Sequence, residues 1–171
     1  MSSPMRKALA VFALAAALSA CGPKVDPAAA AAGLAEAKAF FAKNAKAEGV
    51  RTLPDGLQYK VVRSGAPDAP KPDVNDEVKV HYEGALLNGE VFDSSFERGS
   101  PETFELAGLV KAWQEAIPMM RVGDEWILYV PPELGYGEEG SPPTIPPNAT
   151  LVFRIELLGV LPHAGGESGN V

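Results

Sequence analysis

The strongest constraint in this chain is a repeated two-residue alternation of apolar and polar side chains, punctuated by turn residues and interrupted by one short helical run. After Gly56, Leu57, Tyr59 and Val61 alternate with Gln58 and Lys60. Val78, Val80 and Tyr82 repeat the pattern within Glu77–Tyr82, and Trp126, Leu128 and Val130 mark a third run. Leu151, Phe153, Ile155 and Leu157 form a fourth, with Arg154 and Glu156 turned the other way. Successive strand side chains point to opposite faces, so each run reads as a half-buried strand. Asn88-Gly89, set between Leu86-Leu87 and Val91-Phe92, is a strong hairpin signal. Only Leu109, Val110, Trp113, Ala116 and Ile117 fall at helical spacing, and Pro118 limits that helix to about two or three turns. Ser64–Val74 and the Pro/Gly-rich stretch Pro131–Pro147 read as loops. These elements define an α+β fold: an antiparallel sheet closed over one short helix.

The remainder of the chain is compositionally distinct. Of 171 residues, the first 48 hold 18 alanines and the following 123 hold only 8. Arg6 and Lys7 precede an apolar stretch, Ala8–Ala20, of signal-peptide length and too short for the roughly 20 residues of a spanning helix. Leu18-Ser19-Ala20-Cys21 resembles the bacterial lipobox, after which the signal is removed and the cysteine is acylated. The alternative is an ordinary secretory signal followed by an incidental Cys. With Gly22 rather than Asp after the Cys, the lipobox pattern implies a lipid anchor at Cys21 in the outer membrane, facing the periplasm. The expected organisation is therefore a signal at 1–20, a lipidated Cys and spacer at 21–33, and a helix at 34–49. A folded domain at 50–160 and a flexible tail at 161–171 complete it. Leu34, Phe40, Phe41 and Ala45 put one apolar stripe on that helix, and Gly49 is its expected stop. The stripe either docks on the domain or pairs with its copy in a weak homodimer through 34–49.

Composition narrows the chemistry. A formal charge of −7 argues against a nucleic-acid partner, because phosphate binding needs a basic face. One Cys excludes an internal disulfide framework, and two His residues make a His-rich metal site implausible. No glycine-rich nucleotide loop, nucleophile elbow or zinc-protease helix is present. The adjacent acidic pairs Asp76/Glu77, Asp124/Glu125 and Glu138/Glu139 read as solvated surface. His81 alternates away from Tyr82 and reads as structural, and Trp126 and Phe96 as core. What remains is aromatic side chains where strands meet loops: Tyr82, Phe92, Phe104, Trp113 and Tyr136.

Five segments together resemble the FK506-binding-protein family of peptidyl-prolyl isomerases. They are Val80–Gly84 (VHYEG), Gly89–Ser95 (GEVFDSS), Leu109–Ile117 (LVKAWQEAI), Pro131–Gly137 (PPELGYG) and Ile145–Phe153 (IPPNATLVF), in the family's order and spacing. The preceding stretch Gly49–Tyr59 resembles the bacterial Mip-like and FkpA-like branch. The resemblance implies a twisted half-barrel wrapped around the short helix, with no cofactor and no metal. It places Tyr82, Asp93 and Tyr136 as catalytic residues. It places Phe92, Arg98, Phe104, Leu109, Val110, Trp113, Ile145 and Phe153 as substrate-binding residues. Trp113 would be the floor, and Phe92, Phe104 and Phe153 walls. The Val110 N–H and the Tyr136 hydroxyl would reach substrate carbonyls. Asp93 would pair with Arg98 and accept from Tyr82. The implied partners are proline-containing unfolded or partly folded proteins, with macrolides of the FK506 type as inhibitors. The flap at Glu138–Ile145 departs from the family, since Ser141 stands where some relatives carry an aromatic or His side chain and Pro142-Pro143-Thr144 follow. Two binding-class alternatives stand beside the enzyme: a holdase that grips prolyl segments without turning them over, and an envelope scaffold using the acidic surface.

Overall fold

The computed structural model describes residues 24–163. Cys21 and the signal at 1–20 lie outside them. Seven strands form one sheet: β1 (Val50–Thr52), β2 (Gln58–Arg63), β3 (Glu77–Leu86), β4 (Val91–Ser94), β5 (Glu102–Glu105), β6 (Glu125–Val130) and β7 (Leu151–Leu161). The order is β1-β2-β6-β7-β3-β4, with β5 also paired to β3, and every pairing is antiparallel. Strand β3 is the organiser. It pairs with β7 from Glu77↔Leu161 to Leu86↔Leu151, while β5 and β4 share its other edge. Its alternation sends Val78, Val80, Tyr82 and Leu86 inward, where they meet Leu128, Ile155 and Leu157 of β6 and β7.

Helix α3 (Lys111–Ala116) is buried against this face through Ala112, Trp113 and Ala116. It is shorter than the expected Leu109–Ile117. Gln114 Nε2 donates to the carbonyls of Leu109 (2.7 Å) and Ala107 (3.1 Å), which ties the helix to the 3₁₀ turn Leu106–Gly108 and the extended residue after it. Pro118 lies in a 3₁₀ turn, Ile117–Met119, that closes the other end. Val110 is the N-cap, so its own N–H stands outside the helical hydrogen-bond ladder.

The N-terminal helix α1 spans Pro27–Asn44, starting seven residues before the expected boundary and ending before Gly49. Pro27 looked like spacer chemistry, but proline suits the first helical turn, and the Asp26 carboxylate accepts from Ala28 N at 2.9 Å. Helix α1 docks on the domain. Its inward face is Ala30, Gly33, Ala37 and Phe40; of the expected stripe, Phe40 and Phe41 are half-buried, whereas Ala45 is exposed and Leu34 is 54% exposed. The reason is the surface it meets: a Cβ on Gly33 would lie 2.5 Å from the Pro147 carbonyl oxygen, so position 33 accepts only glycine without a shift. Further along, Phe40 packs on Tyr129 (5.8 Å between centroids). Gln58 Nε2 donates to the Phe41 carbonyl (3.1 Å), and Asn44 Nδ2 donates to Gln58 Oε1 (2.9 Å).

Three other expectations need correction. Asp124 and Glu125 are both buried at 6% exposure, and Glu125 takes Arg63 and Arg154 as partners. Phe96 is not core. It lies half-buried on the outer side of the sheet, stacked on His81 (4.6 Å) and covered by the Arg154 guanidinium (4.8 Å). The strand alternation that sends Tyr82 inward turns His81 out, and Phe96 follows it. The C-terminal boundary also moves, because β7 runs to Leu161 and His163 N donates to Asp76 Oδ1 at 3.0 Å.

On α3, Glu115 shares a hydrogen bond with Asp55, and this contact, with burial and the neighbouring charge, pushes the Glu115 carboxyl up to about 7. The folded state therefore holds a proton that the unfolded chain releases at its ordinary value of 4.5. The contribution is fully present below that value and is lost as pH rises through about 7. The melting temperature is expected to fall between pH 5 and pH 7.5, and Glu115→Gln to flatten that slope. Equal slopes in both proteins by calorimetry would refute the assignment.

Candidate active site

Between α3 and the inner face of the sheet lies a cavity of about 350 Å³. Nine of the eleven residues expected at the pocket line it: Tyr82, Phe92, Asp93, Phe104, Leu109, Val110, Trp113, Tyr136 and Phe153. Trp113 is set by α3, and its ring is met edge-on by Tyr82 (5.3 Å), Phe153 (5.3 Å) and Phe104 (6.1 Å). Phe92 stands at 90° to Phe153, 5.7 Å away. This tilted packing is the arrangement aromatic quadrupoles favour. Ile145 is buried behind the lining at 4% exposure, and Arg98 stands outside it.

Two glycines escaped the sequence reading of the site. Gly108 lines the cavity beside Leu109. Gly84, in the middle of β3, leaves room for the rings of Phe92 and Phe153, where a Cβ would come within 2.5 and 2.8 Å of ring carbons. A glycine inside an alternating strand is the available signal of such close approach.

One edge of the cavity carries a polar cluster. The Tyr82 hydroxyl donates to Asp93 Oδ2 at 2.5 Å, and Arg98 donates to Asp93 Oδ1 (2.5 Å) and to the Tyr82 oxygen (3.0 Å). The Arg98 guanidinium also lies 5.7 Å from the Tyr82 ring centroid and is tied to Glu102. Helix α2 (Ser95–Arg98) makes this possible. Ser94 caps its start by accepting from Glu97 N, and Gly99 ends it in the left-handed region, so one turn brings Arg98 back over Asp93. Burial and the hydrogen bond to Asp93 push the Tyr82 phenol up to about 12. Burial alone would raise Asp93, but the hydrogen bonds from Tyr82 and Arg98 outweigh it and hold the carboxyl below its ordinary range. Both groups therefore keep one protonation state across neutral pH. Tyr136, which also lines the cavity, is 42% exposed.

This arrangement offers a largely apolar, aromatic-lined cleft with a few hydrogen-bonding groups at its edge. Among the described residues, no group of three His, Cys, Asp or Glu side chains is placed to hold a metal ion.

Residues 69–158 match the family described as FKBP-type peptidyl-prolyl cis-trans isomerase, and residues 5–61 match the domain amino-terminal to it. The chain belongs to the FKBP-type peptidyl-prolyl cis-trans isomerase family. It is 50% identical over 125 residues to the peptidyl-prolyl cis-trans isomerase Mip of Coxiella burnetii, covering 73% of this chain and 54% of that one. The crystal structure of FkpA from Escherichia coli superposes with a TM-score of 0.73 at 44% identity, over 78% of this chain and 61% of that one. A peptidyl-prolyl cis-trans isomerase from Pseudomonas syringae gives a TM-score of 0.73 at 34% identity, over 82% of this chain and all of that one. The chain spans about half the length of the curated relatives it matches.

Proposed function

We propose that this chain is a peptidyl-prolyl cis-trans isomerase acting on X-Pro bonds of unfolded or partly folded proteins. The observation that carries this reading is the 350 Å³ aromatic cavity floored by Trp113, with donors at its rim and no charged group but Asp93 in its lining. Rotation about a prolyl amide breaks no bond. It loses resonance across a barrier of roughly 18–20 kcal/mol, so the uncatalysed step takes tens of seconds or more. The twisted amide separates less charge than the planar one. Moving it from water into an aromatic enclosure therefore favours the transition state over the ground state.

In this reading the proline ring lies on Trp113, between Phe92, Phe104 and Phe153. The Val110 N–H and the Tyr136 hydroxyl hold the flanking carbonyls, and Leu109 and Ile145 close the apolar wall. The sheet curves around α3 as a half-barrel. Macrolides of the FK506 type would compete for the same cavity, with contacts altered at the Glu138–Ile145 flap. Delivery follows from the lipobox: acylation at Cys21 would place the domain on the periplasmic face of the outer membrane. Self-association through 34–49 would use the face of α1 that carries exposed Leu34, because the other face is docked.

The test is a protease-coupled proline-peptide assay on the full chain, in which no rate above buffer would sink the proposal. Replacing Tyr136 with Phe removes one hydrogen bond from an exposed ring. It is expected to lower kcat/KM about three- to tenfold with an unchanged circular dichroism spectrum. A holdase would instead suppress client aggregation equally well with the cavity blocked.

A further inference from the structure

Tyr136 sits at the head of a loop whose far end is held by α1. Gly137, the next residue, is the acceptor for Asn148 N at 2.9 Å, so residues 137 and 148 close the base of the loop. At its tip, Ser141 and Ile145 exchange two backbone hydrogen bonds (2.8 and 2.9 Å). Asn148 is 5% exposed and has φ of 52°, the left-handed region that asparagine tolerates better than other side chains bearing a Cβ. Its side-chain Nδ2 donates to the Ala30 carbonyl of α1 at 3.0 Å, a buried bond across 118 residues of sequence. One helical turn on, Gly33 presses against the carbonyls of Pro147 and Asn148 so closely that a Cβ would overlap both. Helix α1 thus touches the loop base at two independent points, and the loop base is one peptide from Tyr136.

We propose that Asn148 is a positioning residue for Tyr136, and that α1 acts on the isomerase site through it. The amide grips Ala30, the backbone N–H of the same residue grips Gly137, and the Tyr136 hydroxyl is held over the cavity. The proposal rests on the role given to Tyr136 above. It makes α1 part of the catalytic unit, and not only a spacer between membrane and domain.

Asn148→Gly is the informative variant, because glycine keeps the left-handed backbone and loses only the amide. Gly33→Val is the second, pushing α1 off the Pro147 and Asn148 carbonyls while leaving the Asn148 side chain itself unchanged. Each is expected to lower kcat/KM by about three- to tenfold in the full chain, the worth of one hydrogen bond. In a Tyr136→Phe background each is expected to cost little more, because both losses pass through the same hydroxyl. Losses that add in full, or an unchanged kcat/KM in Asn148→Gly, would overturn the proposal. With the four tyrosines fluorinated, the Tyr136 fluorine resonance, assigned through Tyr136→Phe, should shift in both variants while that of Tyr59 stays fixed. An unmoved Tyr136 resonance would also overturn it. A chain inactive before mutation would defeat the isomerase reading alone, since the fluorine shift reports the positioning without turnover.

Discussion

Asp124→Ala is expected to cost about 3–5 kcal/mol of folding stability, although the side chain is remote from the cavity. The carboxylate is 6% exposed and accepts three hydrogen bonds: from Gly65 N (2.7 Å), Arg121 N (3.0 Å) and the indole N–H of Trp126 (3.2 Å). It fastens the 64–74 loop to the start of β6, where Gly65 is packed so tightly on Val122 that no side chain fits. Alanine leaves three donors without their acceptor, and the indole N–H of Trp126 is buried. Each orphaned donor costs about 1–3 kcal/mol, partly relieved if the loop lifts. Since single domains have about 5–15 kcal/mol in total, the variant should unfold at much lower urea. Urea titration followed by fluorescence of Trp126 and Trp113 measures this directly, and a loss under about 1 kcal/mol would contradict the assigned role. Cavity chemistry should survive, with kcat/KM per folded molecule unchanged at low temperature.

The same residue shows what the sequence could and could not disclose. Alternation located β2, β3, β6 and β7, because a strand with one buried face writes its period into the chain. It missed β1 and β5, which are short strands whose residues are mostly exposed or only half-buried and carry no strong period. The acidic pair at 124–125 looked solvated because local sequence does not record partners 59 residues away, such as Gly65 for Asp124. Helix α1 was misplaced for a related reason. Its docking face is made of Ala and Gly, and small residues that allow close approach carry little hydropathy contrast. The aromatic cavity was legible only through five motifs read together, since Tyr82, Phe104 and Trp113 meet across strands far apart in the chain. Gly84 and Asn148 were invisible until the neighbours that need their small size or left-handed backbone came into view.

Asp93→Ala is expected to lower kcat/KM about ten- to hundredfold while leaving the fold intact. The carboxylate anchors the Tyr82 hydroxyl at 2.5 Å, and the Tyr82 ring in turn supports Trp113 and Phe104. Without it, the phenol oxygen keeps only the Arg98 donor, and nothing accepts its proton in the same place. The ring is then free to tilt into the space meant for the proline. Stability should change little, because both side chains of the Asp93–Arg98 pair are 42% exposed and such pairs are worth about 0–1 kcal/mol. Arg98→Ala should cost less activity than Asp93→Ala, and the double variant no more than Asp93→Ala alone, since the two act on one hydroxyl. The pH profile separates this from a titrating acid–base mechanism. With Asp93 held below its ordinary range and Tyr82 pushed up to about 12, neither group changes charge across neutral pH, so kcat/KM should be flat from about pH 6 to 9. A bell-shaped profile centred near neutrality, lost in Asp93→Ala, would mean that the carboxylate transfers a proton, and the positional account of this cluster would have to be abandoned.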